Sequence, residues 1–148
     1  VGLEMLISGG ENLKLGFQKK KLEKYESTQS QIAGIRVVLG SAQGYSFTEN
    51  LSLESLKRTY QDALQNAQSL KSQSQEKAEL AKPAPIRDLS HLNQVQEVPI
   101  EEKMKVAEKL ESLVLAGDSR IQSVPYCSFV ETSGFRRVLN SEGVDHTF

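Results

Sequence analysis

Few residues in this sequence could do acid–base, nucleophilic or metal chemistry. His91 and His146 are its two histidines and Cys127 its one cysteine. Neither histidine is followed at three to five residues by a second His or Cys, the spacing of a zinc ligand pair. A closed zinc site made of His and Cys alone needs four ligands, more than the chain has. Cys127 stands among Tyr126, Phe129 and Val130. That setting reads as a packed thiol rather than a nucleophile, because an attacking thiolate needs an adjacent base. Glu101 and Glu102 form a carboxylate pair, but they open a helical pattern, where the helix dipole already favours acids. Gly34, Gly40 and Gly44 fit neither phosphate-cradling glycine pattern, and Gly9 and Gly10, which read as a loop, precede no Lys-Ser/Thr. The expected assignment is therefore no catalytic residue, no cofactor-binding residue and no metal ligand in this stretch.

Composition narrows the function classes. The chain has 148 residues, 38% of them hydrophobic and 25% charged, with 18 Lys+Arg against 19 Asp+Glu. A length of about 150 residues buries roughly 68–70% of its unfolded surface, enough to fold without disulfides or metals. The net charge of −1 argues against sequence-independent DNA binding, which needs clustered excess Lys/Arg. Mean hydropathy is −0.41, and no apolar run approaches the length of a membrane helix. Trp is absent, with 4 Tyr and 5 Phe, so broad stacking on bases or sugars is not expected. No secretory signal opens the chain. A single cysteine suits a reducing compartment, and a cytoplasmic location is expected. The first residue is Val1 rather than Met, so the ends need not be natural.

Hydrophobic periodicity supplies the elements. Leu13, Leu15 and Phe17 alternate with polar residues over 12–18, the period of a half-buried strand. Lys19, Lys20 and Lys21 follow, read as a solvated strand edge, with a more exposed strand carrying Leu22 and Tyr25. Ile35, Val37 and Leu39 share one face of a strand at 32–39, with Arg36 and Val38 on the other. A turn at 40–44 leads to a further strand at 45–48. After Ser52, an acceptable N-cap, the spacing of Leu53, Leu56, Tyr60, Ala63, Leu64, Ala67 and Leu70 predicts a helix over 53–70. Residues 71–98 are rich in Gln, Ser, Lys and Glu, contain Pro83 and Pro85, and read as a linker. Pro99 opens a second helix with an expected buried stripe of Ile100, Met104, Ala107, Leu110, Leu113 and Val114, stopping at Gly117. Two strands, 120–130 and 135–139, are expected around a hairpin loop at 131–134, followed by a turn at 140–143. The fold class is α+β: an antiparallel β meander covered by amphipathic helices, in two small sub-lobes. Residues 1–70 form the first lobe, 71–98 the polar linker and 99–148 the helix-plus-hairpin lobe.

The order of these segments carries a resemblance. Gly34, Ile35, Arg36, Val37, Val38, Leu39 and Gly40 form a glycine-flanked strand. Gly44 and Tyr45 begin the next one, and Asn50, Leu51, Ser52, Leu53, Glu54, Ser55 and Leu56 start an Ala-rich helix. Later come Asp118, Ser119, Arg120 and Ile121, then Asn140, Ser141, Glu142 and Gly143, similar to an "NS-x-G" segment. Over roughly 8–148 this resembles the amino-terminal region of the TldD/PmbA family, also called modulators of DNA gyrase. The resemblance implies a parent about three times as long, with an α+β amino-terminal region and a mostly β catalytic region. In the TldD branch a later His-Glu-x-x-x-His helix holds zinc; the PmbA (TldE) branch lacks it. The two branches pair to cleave unfolded or flexible peptides.

On this resemblance the chain is a non-catalytic amino-terminal domain that shapes a peptide cleft and helps assemble a homo- or heterodimer. The look of 118–148 favours the PmbA-like branch, with TldD left open. Zinc, if any, would belong to a carboxy-terminal half beyond these residues. An exposed strand edge within 12–48 could take an extended peptide. No direct nucleic-acid or membrane partner is expected. The alternative is a freestanding α+β protein-interaction module with no peptidase role. Lobes cut from a larger protein tend to leave an apolar face bare, so some self-association is also expected.

Overall fold

The computed structural model describes residues 1–19, 21–70, 78–85 and 97–148. Five strands and two helices follow in the order β1 (Gly2–Gln18), β2 (Lys21–Leu39), β3 (Ala42–Thr48), α1 (Leu53–Leu70), α2 (Ile100–Gly117), β4 (Cys127–Asn140) and β5 (Asp145–Thr147). The strands form one antiparallel sheet ordered β3-β2-β1-β4-β5. The α+β class is as expected from sequence. Two compact units result, each assembled from separated stretches: Val1–Gly10, Ser30–Ile86 and Gly134–Phe148 in the first, Glu11–Gln29 and Arg87–Ser133 in the second.

In the first unit, β2 and β3 form a hairpin whose register runs from Leu39↔Ala42 to Ala33↔Thr48. Gly40, at φ 68°, makes the tight turn, a conformation a side chain disfavours. Ile35 and Val37 pack with Ala63 and Ala67 of α1, and Leu3, Met5, Leu39, Leu56, Tyr60 and Leu64 surround them. The helix bounds match the predicted ones. Ser52 caps α1, its Oγ accepting from the Ser55 N–H at 3.3 Å. Leu53 and Leu70, at the ends of the stripe, stay exposed, while Thr59 is buried and donates its hydroxyl to the Ser55 carbonyl at 2.8 Å.

In the second unit, Leu15, Phe17, Ala107 and Cys127 form the buried core, with Leu13, Ile100, Met104, Val124 and Phe129 packed around it. Here the expected helix stripe is corrected. The buried side of α2 carries Ala107 and Glu111, and Leu110 and Leu113 stand 52% and 61% exposed. Ile100, Met104, Ala107 and Glu111 lie at i, i+4, i+7 and i+11, one continuous helical row. Glu111 keeps its place in that row because its Oε1 accepts from the Lys19 backbone N–H at 2.8 Å.

Two strand readings are also corrected. The expected hairpin loop at 131–134 lies inside β4, one 14-residue strand, and the expected loop at Gly9 and Gly10 lies inside β1. Both errors have one cause. A Cβ on Gly9 would lie 2.7 Å from Phe135 Cε1, and one on Gly134 would lie 2.9 Å from the Gly9 carbonyl oxygen. These glycines let β1 and β4 approach closely rather than turn. The true hairpin joins β4 to β5 in the register Arg137↔Thr147 to Leu139↔Asp145. Its turn is the predicted 140–143 segment, where Asn140 Oδ1 accepts from the N–H groups of Glu142 and Val144, each at 3.0 Å. Finally, the separate strands expected around Tyr25 and at 32–39 merge into one 19-residue β2.

Across β4 and β5, Arg137 grips Asp145 through Nε and Nη2, both at 2.9 Å. That hydrogen bonding holds the Asp145 carboxyl below its ordinary range. A depressed carboxyl pKa stabilises the fold above the ordinary aspartate range, and the contribution is lost as pH falls through the lowered value. Arg137→Ala should return the Asp145 titration to its ordinary position, read by carboxyl-detected NMR between pH ~2 and ~6.

Candidate functional site

The side chains that sequence reading weighed for chemistry do not converge. Among the described residues no group of three or more His, Cys, Asp and Glu is placed to hold a metal ion. His91 lies outside the described residues. His146 sits on β5, opposite Val138. Cys127 is 5% exposed, and its thiol points to the Ala107 carbonyl at 3.4 Å. It is therefore presented to the core and not to a substrate. No His-Glu-x-x-x-His pattern occurs in the 148 residues.

What the first unit does offer is a two-sided sheet whose second side the described residues cover only in part. Residues alternate across a strand. Ile35, Val37 and Leu39 face α1, so Gly34, Arg36 and Val38 face away, beside Gln43, Tyr45 and Phe47 of β3. Glu4 and Leu6 of β1 complete this second face. A groove of about 620 Å³ lies there, lined by Glu4, Leu6, Gly34, Arg36, Tyr45 and Phe47. Leu6, Tyr45 and Phe47 are 43%, 60% and 72% exposed.

Arg36 organises the face. Its Nε donates to Gln43 Oε1 at 2.8 Å and its Nη1 to Glu4 Oε1 at 3.2 Å, forming a half-buried ion pair. The Tyr45 hydroxyl donates to the same Gln43 oxygen at 2.8 Å. The third nitrogen, Nη2, reaches the Glu79 carbonyl at 3.3 Å. That carbonyl belongs to 78–85, the described part of the expected linker, which lies on the face as a strap. The Asn140 amide holds it again at the Ala81 carbonyl, 2.8 Å away. Sequence reading had placed Arg36 and Val38 on the second face of the strand without assigning that face a use. The available signal was a charged residue at the centre of a strand otherwise rich in β-branched side chains.

The outer edge of the sheet is the second feature. β3 ends the strand order and pairs with β2 only from Ala33 onward. Lys21–Ile32 of β2 therefore has no β3 residue opposite it, and it carries Lys24 and Glu26 paired at 2.9 Å. Such charges discourage strand addition. β3 itself, AQGYSFT, carries no charge. Pairs in an antiparallel ladder alternate in their bonding, so Gln43, Tyr45 and Phe47 turn their backbone groups outward. Asn66 of α1 meets one of them, donating from Nδ2 to the Tyr45 carbonyl at 2.9 Å.

The geometry defines an α+β domain that presents a partly strapped sheet face and an uncharged edge strand. Two family models match it: PmbA/TldA metallopeptidase domain 1 over residues 3–67 and the PmbA/TldA metallopeptidase central domain over residues 93–148. The chain belongs to the PmbA/TldD family. Comparison with curated proteins gives no match. Among solved structures it is similar to a protein described as a modulator of a DNA gyrase from Thermotoga maritima, at TM-score 0.80 and 18% identity over 99% of this chain and 33% of that one. It is also similar to TldE from Thermococcus kodakarensis, at TM-score 0.72 and 18% identity over 99% and 33%. A third is a protein described as a modulator of DNA gyrase from Bacteroides thetaiotaomicron, at TM-score 0.70 and 15% identity over 99% and 34%. The chain thus spans about a third of the length of these relatives. No helix of the described residues is long and apolar enough to cross a membrane.

Proposed function

We propose that this chain is a non-catalytic, amino-terminal part of a cytoplasmic PmbA/TldD-type protein. In this reading it offers a flexible peptide a strand edge on its way to a catalytic region elsewhere, and it contributes to pairing with a second subunit of the same type. The observation that carries the peptide reading is β3, an edge strand without charge. Backbone pairing along an edge reads no side-chain sequence, which suits substrates that share only the property of being unfolded. Asn66 acts as a partial plug, since an added strand must displace it from the Tyr45 carbonyl.

The test is amide-detected NMR of the protein titrated with a short polar peptide of high β propensity. Shifts are expected at Gln43, Tyr45 and Phe47. Asn66→Ala should tighten binding by about three- to tenfold, the worth of one net hydrogen bond. Absence of any shift along 42–48 would sink the reading.

A further inference from the structure

The second face of the first unit is built as a ladder of neighbouring residues from β1 and β2. Val38 lies against Gly2, Arg36 is paired with Glu4, and Gly34 lies against Leu6. Each outer rung pairs a glycine with an aliphatic residue, Gly2 of β1 with Val38 and Gly34 of β2 with Leu6, and the ion pair separates them. The Gly2 rung is filled. Leu80 of the 78–85 strap rests on it, and a Cβ on Gly2 would lie 2.9 Å from Leu80 Cδ1. Arg36 holds the carbonyl of the preceding residue, Glu79. The structure therefore shows one occupant of this face, a segment whose leucine rests on a glycine while Arg36 holds its backbone.

The Gly34 rung offers a similar seat, and no described side chain fills it. A Cβ there would find only the Leu6 carbonyl oxygen, at 4.0 Å. Leu6 and Phe47 wall it, and Arg36, which lines the same groove, also holds the strap. Nε, Nη1 and Nη2 of Arg36 are already engaged, by Gln43, Glu4 and the strap carbonyl. Arg36 and Glu4 already pair with each other, so a charged side chain entering the seat would lose water with little compensation.

We infer that the seat over Gly34 receives one uncharged, leucine-sized side chain of an extended polypeptide segment bound in trans, lying on the sheet face as 78–85 does. This is a contact separate from strand addition along β3, and it rests on the proposed peptide-handling role only for the source of the segment. It gives an otherwise sequence-blind edge a preference for apolar residues.

The experiment titrates the protein with a ten-residue Gly/Ser/Ala peptide bearing one central leucine, and with the same peptide carrying serine there, followed by amide NMR. The leucine peptide is expected to bind at least about tenfold tighter, with shifts at Leu6, Gly34 and Phe47. Gly34→Val fills the seat and Leu6→Asp charges its rim; both should erase the leucine preference, with Leu39, Ala63 and Ala67 signals unchanged as the check on folding. Equal binding of the two peptides overturns the inference, as does a leucine preference that survives both variants. Shifts at Leu6, Gly34 and Phe47 with none at Gln43 or Tyr45 support the seat and refute edge addition. Equal shifts from both peptides along β3 alone do the reverse. Movement of the Leu6 and Gly34 signals with protein concentration alone would assign the seat to a second copy and overturn the trans-peptide inference.

Discussion

Gly44→Val is expected to unfold the first unit or cost it about 3 kcal/mol or more, the upper end of overpacking effects. Gly44 is buried on β3 where α1 crosses it. A Cβ at this position falls inside the van der Waals envelopes of the Ala63 carbonyl oxygen and the Ala67 nitrogen. Both are helix backbone, so no rotamer change relieves the clash, and α1 would have to lift from Ile35 and Val37, which it covers. The three positions work as a set, because Ala63 and Ala67 are themselves fully buried and small enough to bring helix backbone onto strand backbone. Chemical denaturation should show a lowered midpoint for Gly44→Val. Gly34→Ala, on the other face, should stay within about 0.5 kcal/mol of the parent or gain slightly, since alanine restricts the unfolded chain. Equal midpoints for Gly44→Val and the parent would mean that α1 does not pack as described.

Glu111→Ala is expected to cost the second unit about 2–4 kcal/mol, combining an unmet hydrogen bond with a small cavity. Glu111 is 1% exposed on the core side of α2, and its carboxylate accepts from the N–H of Lys19. Lys19 has φ 50°, the single positive value among the described non-glycine residues. The carboxylate thus anchors the strained turn between β1 and β2 to a helix distant in sequence. Glu111→Gln keeps an acceptor of the same shape and should recover most of the loss. The comparison separates anchoring from volume, because Glu111→Leu preserves bulk but leaves the Lys19 N–H unmet. Urea midpoints following the order parent, Gln, Leu would support the anchor. A leucine variant as stable as the parent would remove it.

These two positions mark where sequence reasoning reached and where it stopped. Both helices were legible to within a residue, because apolar residues recur at a period of about 3.6 in each, although in α2 not all of them are buried. Strand 32–39 was legible for the corresponding reason, one face buried at period two. Between Lys21 and Ile32 the strand was obscured, since every described residue there is exposed and an unburied strand leaves no alternation to read. Glycine misled at Gly9 and Gly134, where the same absence of a side chain serves close strand approach instead of a turn. The buried side of α2 was mis-set after Ala107, because a carboxylate looks like a solvent-facing residue until its distant partner is known. The face around Arg36 was hidden in the same way. Its partners Glu4, Gln43 and Glu79 are scattered along the chain, and the strap that lies on it was written in linker composition.

By itself the sequence determined the α+β class, both helices, the final turn, and the scarcity of residues that could do chemistry. Those properties are local or compositional, so they need no knowledge of contacts. The tertiary structure alone decided that the two compact units interleave along the chain. It also decided that β3 is the uncharged edge, and that one glycine seat is filled by Leu80 while no described side chain fills its counterpart over Gly34. Each of these depends on strand order and register, which bring residues tens of positions apart into one surface.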